Sequence, residues 1–188
     1  MEKELRQIAS NCRKVVLYGP ESTGKSTLAQ QLASYYSTVC VPEFSRIYAE
    51  QQLLHNKTLT EADVLPIAKG QMRLENELAP QANKVLICDT DLLETKVYSE
   101  LYYGGIGNAA LDKYAVENTY DIYFLSYIDI PWVADHLRDR PHQREAMFEA
   151  FENALITFKK PYIILKGDME TRFHSAKKYI DKLLNISL

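Results

Sequence analysis

The clearest chemical signal in the chain is a glycine-rich loop that ends in lysine and serine. Residues 19–26 read GPESTGKS and match the pattern G-x-x-x-x-G-K-[ST]. In such a loop the backbone N–H groups form an anion-sized cup, Lys25 places a positive charge at the β- and γ-phosphates, and the Ser26 hydroxyl binds Mg²⁺. The pattern therefore predicts a nucleotide site. The loop residues expected to form it are Gly19, Glu21, Ser22, Thr23, Gly24, Lys25, Ser26 and Thr27.

Two acidic residues follow apolar runs further along the chain. Asp89 comes directly after the run KVLIC, where a carboxylate can hold Mg²⁺ or its water shell. Glu43 leaves the run TVCV, where a general base could take a proton from a hydroxyl acceptor. The alternative for Glu43 is a surface residue that the dipole at a helix start favours. Our hypothesis makes Glu43 the base and Asp89 the Mg²⁺ partner, with Lys25 also catalytic.

An arginine-rich segment, DHLRDRPHQR, occupies residues 135–144. Phosphoryl transfer needs positive charge near the transferring oxygens, and a closing loop can deliver it while it excludes water. We therefore expect a lid at about 134–145, with Arg138 in a catalytic role and Arg144 at the nucleotide. The alternative is a solvated basic turn. Upstream, Trp132 is either core filler or a flat platform for a cationic heteroaromatic ring.

Three further positions have both a chemical and a purely structural interpretation. Asp168 and Arg172 follow an apolar run, and in this type of fold such a loop can lie beside the adenine. The alternative is an ordinary turn with Asp168 as the helix N-cap. Asp91 shares a helix face with Thr95 and could face the same cleft, although aspartate at a helix start also caps free N–H groups.

These residues need a scaffold that brings them to one edge. Short apolar runs alternate with longer amphipathic segments, which predicts a parallel sheet with helices on both faces, an α/β three-layer sandwich. In such folds ligands bind at the carboxyl ends of the strands. The predicted strands are 13–18, 38–41, 84–88, 120–127 and 161–166. The predicted helices are 26–36, 46–54, 60–82, 92–103, 143–159 and a final one that includes 173–184.

Length and composition set the remaining limits. The 188 residues are 46% hydrophobic, which predicts one domain, 1–188, with an ample core. The net charge of −3 argues against a protein held on nucleic acid by phosphate attraction. Since no apolar run approaches 18 residues, we expect no membrane span. The charged start, MEKELRQIASNC, does not read as a secretory signal, and strand cysteines that read as buried fit a reducing cytoplasm.

The motifs together resemble one family of phosphate-loop kinases. The segments GPESTGKSTLAQQLA, VPEFSRIYA, IAKGQ, DTDLLETKVYSELYYG, YDIYFLSYIDIPWVAD and ILKGDMETR run in order from about residue 15 to residue 172. This set is similar to that of the NadR-type ribosylnicotinamide kinase domain. The phosphate loop alone is generic, whereas the set with DTDLL, D-x-PW and GD-x-x-x-R is much more specific.

The resemblance implies ATP-dependent, Mg²⁺-dependent phosphorylation of the 5′-hydroxyl of nicotinamide riboside, giving nicotinamide mononucleotide. It implies that the acceptor is bound by Glu43, Arg46, Asp91, Asp129 and Trp132. Arg46 and Asp91 are candidates for the ribose hydroxyls, and Trp132 for stacking on the pyridinium. The alternatives are a kinase for another nucleoside or vitamin, and a nucleotide-dependent switch that regulates a partner such as a transporter.

The chain departs from the family pattern in two places. The family often has Asp-Gly before the lid arginine, whereas this chain has Asp135-His136-Leu137-Arg138. This change bears on lid flexibility and on the acceptor. NadR proteins also carry an adenylyltransferase domain ahead of the kinase, and only about a dozen residues precede the first predicted strand here. We therefore expect the kinase portion alone.

Overall fold

A five-stranded parallel sheet forms the centre of the protein. The computed structural model describes residues 2–104, 108–134 and 142–186. Within them the strands lie in the order β2-β3-β1-β4-β5, and every neighbouring pair is parallel. The bounds are β1 Arg13–Tyr18, β2 Cys40–Val41, β3 Val85–Asp89, β4 Ile122–Ser126 and β5 Tyr162–Leu165. The predicted sheet and fold class are therefore confirmed.

Helices cover both faces of this sheet, as the continuous apolar strands require. Their bounds are α1 Lys25–Tyr35, α2 Phe44–Leu54, α3 Val64–Leu78, α4 Leu92–Tyr103, α5 Ala109–Glu117, α6 Arg144–Thr157 and α7 Met169–Leu183. One apolar core joins side chains of α3 to α6, among them Met72, Val97 and Phe151, to one face of the sheet. The other core joins Leu32 of α1 and Ile180 of α7 to the opposite face.

Several elements differ from the sequence prediction. The predicted helix 60–82 is three pieces: a 3₁₀ turn at Glu61–Asp63, α3, and a second 3₁₀ turn at Ala79–Gln81. Pro80 lies in the second turn because proline cannot donate the N–H that a continuing helix needs. The sequence prediction missed α5, which begins after the capping side chain of Asn108. It also missed a 3₁₀ turn at Glu2–Leu5, whose Leu5 is fully buried.

The second strand is shorter and less buried than predicted. β2 has two residues and lies at an edge of the sheet, so Cys40 is half-buried, whereas Cys88 on β3 is fully buried. The cysteines are all free thiols. Across the described residues, no helix combines the length and the apolar character that spanning a membrane would require.

Candidate functional site

The phosphate loop joins β1 to α1 and takes a shape that two glycines permit. Gly19 has φ +124°, and a Cβ there would lie 3.2 Å from the Ser126 carbonyl oxygen. Gly24 is the left-handed N-cap of α1 with φ +80°, and a Cβ there would lie 2.7 Å from the Met169 side chain. The free N–H groups at the start of α1, together with its dipole, therefore face an anion-sized space.

The Lys25 side chain is folded back against this loop. Its Nζ atom donates to the carbonyl oxygens of Gly19 at 2.6 Å and Pro20 at 3.0 Å, and lies 3.2 Å from Oε1 of Glu94. Only 7% of Lys25 is exposed. Burial lowers the pKa of Lys25, but the nearby negative charges of Glu94, Glu43 and Asp89 outweigh it, and the net shift is upward. The ammonium form is therefore the stable one.

Asp89 and Ser26 meet at the carboxyl end of β3. Burial and the nearby charge of Glu43 together raise the pKa of Asp89 to about 6, although the charge of Lys25 and a hydrogen bond with Ser26 oppose the rise. Oδ1 of Asp89 is buried and has no hydrogen-bond partner. A carboxylate with an open oxygen beside a serine hydroxyl is an oxygen donor set that suits Mg²⁺. The pair therefore fits the cation that the phosphate loop implies.

Glu43 precedes the first turn of α2 and faces the same region. Its Oε1 atom accepts a hydrogen bond from the Ser45 hydroxyl at 2.7 Å. Its charge raises the pKa of Asp89, so the two carboxylates are near neighbours. In the described residues, no cluster of three or more His, Cys, Asp or Glu side chains forms a metal cage. A cation at Asp89 would therefore keep ligands from phosphate and water.

One cavity of about 600 Å³ extends from the phosphate loop past Glu43 and continues between α2, α3 and α4. Outside the phosphate loop its walls combine apolar and aromatic side chains with polar ones. The apolar and aromatic members are Ala49, Leu53, Leu59, Val64, Ile67, Tyr98, Tyr102 and Tyr103, and the polar members beyond Glu43 and Arg46 include Lys57, Thr58, Thr60, Thr95 and Ser99. A cavity that joins an anion-binding loop to a mixed wall with several rings is typical of a small-molecule site.

The structure places Asp91 outside this cavity. Its carboxylate is 1% exposed, accepts hydrogen bonds from the backbone N–H of Glu94 at 2.9 Å and from the Tyr123 hydroxyl at 2.7 Å, and caps α4. Burial raises its pKa to about 6. The structure thus shows the capping role that the sequence left open, and the contact with ribose hydroxyls stays a prediction.

Trp132 and Arg144 lie together beside the phosphate loop rather than in the acceptor end of the cavity. The Cζ atom of Arg144 is 5.8 Å from the centroid of the Trp132 ring, and Nη2 of Arg144 donates to the Ser22 carbonyl oxygen at 3.4 Å. Trp132 does not line the cavity, so this structure does not show it as a ring platform for the acceptor. Arg138 and most of the expected lid lie outside the described residues.

The loops that precede α7 and follow β4 are held together by three of the predicted site residues, Asp129, Asp168 and Arg172. Arg172 is fully buried, donates to the carbonyl oxygens of Gly167 at 2.9 Å and Thr23 at 2.9 Å, and pairs with Asp129. Asp168 caps α7 by accepting from the Thr171 N–H at 2.8 Å. Since Asp129 and Arg172 pair with each other, the structure gives them a positioning role, and the expected contacts with acceptor and adenine stay predictions.

Three residues that the sequence interpretation missed lie at the site. Tyr98 and Tyr102 are four residues apart on α4, so they share a helix face, and that spacing was a usable signal. Glu94 is one turn earlier on the same helix and is fully buried behind the phosphate loop. Its burial depends on Lys25 from another element, so spacing alone gave no signal.

With this geometry established, comparison with known proteins becomes informative. The model of the AAA domain family matches residues 14–172, which is most of the chain and includes the phosphate loop, Glu43, Asp89 and Arg172. The chain belongs to the AAA domain family. This AAA-domain chain is also 31% identical over 182 residues to the trifunctional NAD biosynthesis/regulator protein NadR of Escherichia coli. That similarity covers 92% of the chain and 43% of the relative, so the chain spans about two fifths of the curated protein's length.

Solved structures confirm the fold of the AAA-domain chain. NadR protein in complex with NR superposes with a TM-score of 0.71 at 21% identity, over 95% of this chain and 53% of that one. NadR protein in complex with NAD and AMP-PNP superposes with a TM-score of 0.73 at 20% identity, over 95% of this chain and 51% of that one. Thymidylate kinase from Ehrlichia chaffeensis superposes with a TM-score of 0.67 at 17% identity, over 92% of this chain and 100% of that one. The structural neighbours thus include phosphate-loop kinases of nucleotides.

Proposed function

We propose that this protein transfers the γ-phosphate of ATP to the 5′-hydroxyl of nicotinamide riboside and forms nicotinamide mononucleotide. The observation that carries the proposal is the single cavity of about 600 Å³ that links the phosphate loop, through Glu43, to the rings of Tyr98 and Tyr102. A phosphate donor and a ring-bearing alcohol fit at its two ends. The similarity to NadR, although it covers only part of that protein, supports the same acceptor.

The donor end is built to bind phosphates. The N–H groups that begin α1 point toward the β- and γ-phosphates, and Lys25 adds a positive charge there. Ser26 and Asp89 would hold Mg²⁺, which when bound neutralises the charge on the phosphate oxygens. Arg144, which approaches the loop at Ser22, adds positive charge from the lid side. Arg138 stays a proposed second lid arginine.

The acceptor end provides a base and an aromatic wall. Glu43 stands between the phosphate loop and the rings, where it would take the proton of the attacking hydroxyl. The Ser45 hydroxyl donates to one of its oxygens and so fixes the orientation of the carboxylate. The pyridinium ring of nicotinamide riboside carries a positive charge, and the faces of the Tyr98 and Tyr102 rings attract a cation. Arg46 lines the same cavity, and we assign it to the ribose hydroxyls.

The test measures ADP release with Mg²⁺-ATP and a panel of acceptors. The panel contains nicotinamide riboside, ordinary nucleosides, thiamine and a blank, with mass detection of the phosphorylated product. We expect release that depends on nicotinamide riboside and yields the mononucleotide. Release with a different acceptor alone would reassign the substrate. Release that no acceptor changes would indicate an ATPase that serves as a switch, and would contradict the proposal.

A further inference from the structure

Glu94 is the most unusual charged residue at the site, and the proposed reaction gives it no task. Its side chain has no exposed surface. It stands in the first turn of α4 behind the phosphate loop, and a buried carboxylate is costly unless other groups satisfy it. Burial raises the pKa of Glu94, whereas the ammonium group of Lys25, 3.2 Å from Oε1, lowers it and favours the charged carboxylate. A residue this costly to bury needs a physical explanation.

The contacts of Glu94 are all with donors, and two of them belong to the phosphate loop. Oε2 accepts the backbone N–H of Gly19 at 3.1 Å. Oε1 lies 3.2 Å from Nζ of Lys25 and accepts from the Thr90 hydroxyl at 3.5 Å. Both carboxylate oxygens are thus occupied, one by the start of the loop and the other by the lysine near its end. Glu94 therefore ties the two ends of the loop to α4.

The same contacts occupy all the hydrogen-bond donors of Lys25. An ammonium group has three N–H donors and no acceptor. In this structure three oxygens surround Nζ: the carbonyl oxygens of Gly19 and Pro20 and Oε1 of Glu94. A phosphate oxygen can reach Lys25 only if at least one of these contacts breaks. The contact with Glu94 is the charged one, so it opposes the phosphate most strongly.

We propose that Glu94 is a positioning residue that holds Lys25 in a withdrawn position and competes with nucleotide phosphates for it. The inference rests on the proposed function only in that the loop binds a nucleotide. Glu94 lowers the affinity for ATP in two ways. It retains the lysine when the loop is empty, and its charge opposes the phosphates when the loop is filled. Since Lys25 serves the β- and γ-phosphates, the effect grows with the number of phosphates.

The test compares AMP, ADP and ATP binding by calorimetry, without acceptor, in the wild type and in Glu94→Gln. The amide keeps the size of the side chain and an oxygen for the Gly19 N–H, but it removes the charge. We expect ATP to bind about tenfold more tightly to the variant. ADP should gain less, and AMP should be unchanged. The matched control is Glu100→Gln on the same helix, an exposed partner of Lys96, which should leave all three affinities unchanged.

Equal or weaker ATP binding in Glu94→Gln, or an equal gain for AMP, would overturn the inference while leaving the proposed function intact. Absence of ATP binding in the wild type would overturn both. If the amide variant fails to fold, Glu94→Met replaces it, since an apolar side chain of similar size often tolerates such burial. In the nucleotide-free wild type, an amine-reactive label should modify Lys25 more slowly than exposed Lys159, and equal rates would contradict the withdrawn position.

Discussion

The guanidinium of Arg172 donates to the carbonyl oxygen of Thr23 at 2.9 Å and so connects the start of α7 to the middle of the phosphate loop. The same group donates to the Tyr127 carbonyl oxygen at 2.8 Å and pairs with Asp129. Three chain segments that are far apart in sequence therefore meet at one buried side chain. Arg172 therefore helps to hold the phosphate loop in its shape.

Replacing Arg172 should lower the free energy of unfolding, with little direct effect on the affinity for nucleotide. Arg172→Lys keeps the charge but cannot make the same set of hydrogen bonds, and it leaves Asp129 poorly paired. We expect the free energy of unfolding to fall by about 3 kcal/mol or more, measured by urea denaturation. The control is Arg13→Lys, a half-exposed pair with Asp121, which should cost less than about 1 kcal/mol. Unchanged stability with weaker ATP binding would instead support the adenine contact expected from the sequence.

Exchange of Glu43 tests the assignment of the base. Glu43→Gln keeps the volume and the hydrogen bond from Ser45 but cannot accept a proton. We expect turnover to fall by about 10² to 10⁴ while the KM for ATP changes little. Glu77→Gln, at an exposed position late in α3, is the control and should retain full turnover. Normal turnover in Glu43→Gln would exclude this residue as the base.

The aromatic end of the cavity can be tested on one ring. Tyr102→Leu keeps an apolar side chain and removes the face that attracts a cation. The KM for nicotinamide riboside should rise about tenfold, with the KM for ATP unchanged, as steady-state kinetics would show. Tyr179→Leu changes a tyrosine on the exposed side of α7 and should alter neither constant. If Trp132→Leu gave the tenfold rise and Tyr102→Leu did not, the stacking expected from the sequence would be correct.

Asp89 should control the requirement for Mg²⁺. Asp89→Asn removes the charge from the open oxygen beside Ser26, so the Mg²⁺ concentration for half-maximal rate should rise about tenfold or more. Initial rates across a Mg²⁺ titration at saturating ATP measure this value. Asp112→Asn, at an exposed position in α5, serves as the control. If Asp89→Asn kept the wild-type Mg²⁺ dependence, the assignment of Mg²⁺ to Asp89 would be wrong.

Asp91 should make stability depend on pH in a defined direction. Its pKa rises from 3.8 to about 6 on folding because the carboxyl is buried. The folded state then binds this proton more tightly, so the contribution of Asp91 to stability is greatest at low pH and is lost as pH rises from about 4 to about 6. Relative to Asp91→Asn, the wild type should lose about 3 kcal/mol across that interval, from urea denaturation at several pH values. If the free energy of unfolding changed equally with pH in both proteins, the raised pKa of Asp91 would be contradicted.

The fold was largely predictable, and the differences have local causes. Apolar runs that alternate with amphipathic segments gave all five strands, and α4 was predicted at its observed bounds. Although α5 has a cap at Asn108 and apolar residues at Leu111 and Tyr114, it follows the glycine-rich sequence 104–107, and the sequence prediction assigned no helix to it. Edge strand β2 was predicted too long because an apolar run does not reveal how many of its residues find a partner.

The site was less predictable, because side-chain direction decides it. The phosphate loop, Glu43 and Asp89 follow from motif and position, since the carboxyl ends of parallel strands meet at one edge. Asp91 and Asp89 are two residues apart, yet Asp91 accepts from the Tyr123 hydroxyl in the core whereas Asp89 lies beside Ser26. Trp132 was assigned to the acceptor because a tryptophan suits a pyridinium. In the structure its ring contacts Arg144, an interaction that no local spacing reveals.

The strand order has a consequence for how this protein could be redesigned. The donor machinery follows β1 and β3 in the middle of the sheet, whereas the acceptor wall is carried by α2, the start of α3 and the later turns of α4, around the two-residue edge strand β2. The acceptor wall is therefore a separable module at the rim of the sheet. Libraries confined to residues 46–60 and 98–103 should yield enzymes for new alcohols while the triphosphate machinery stays untouched.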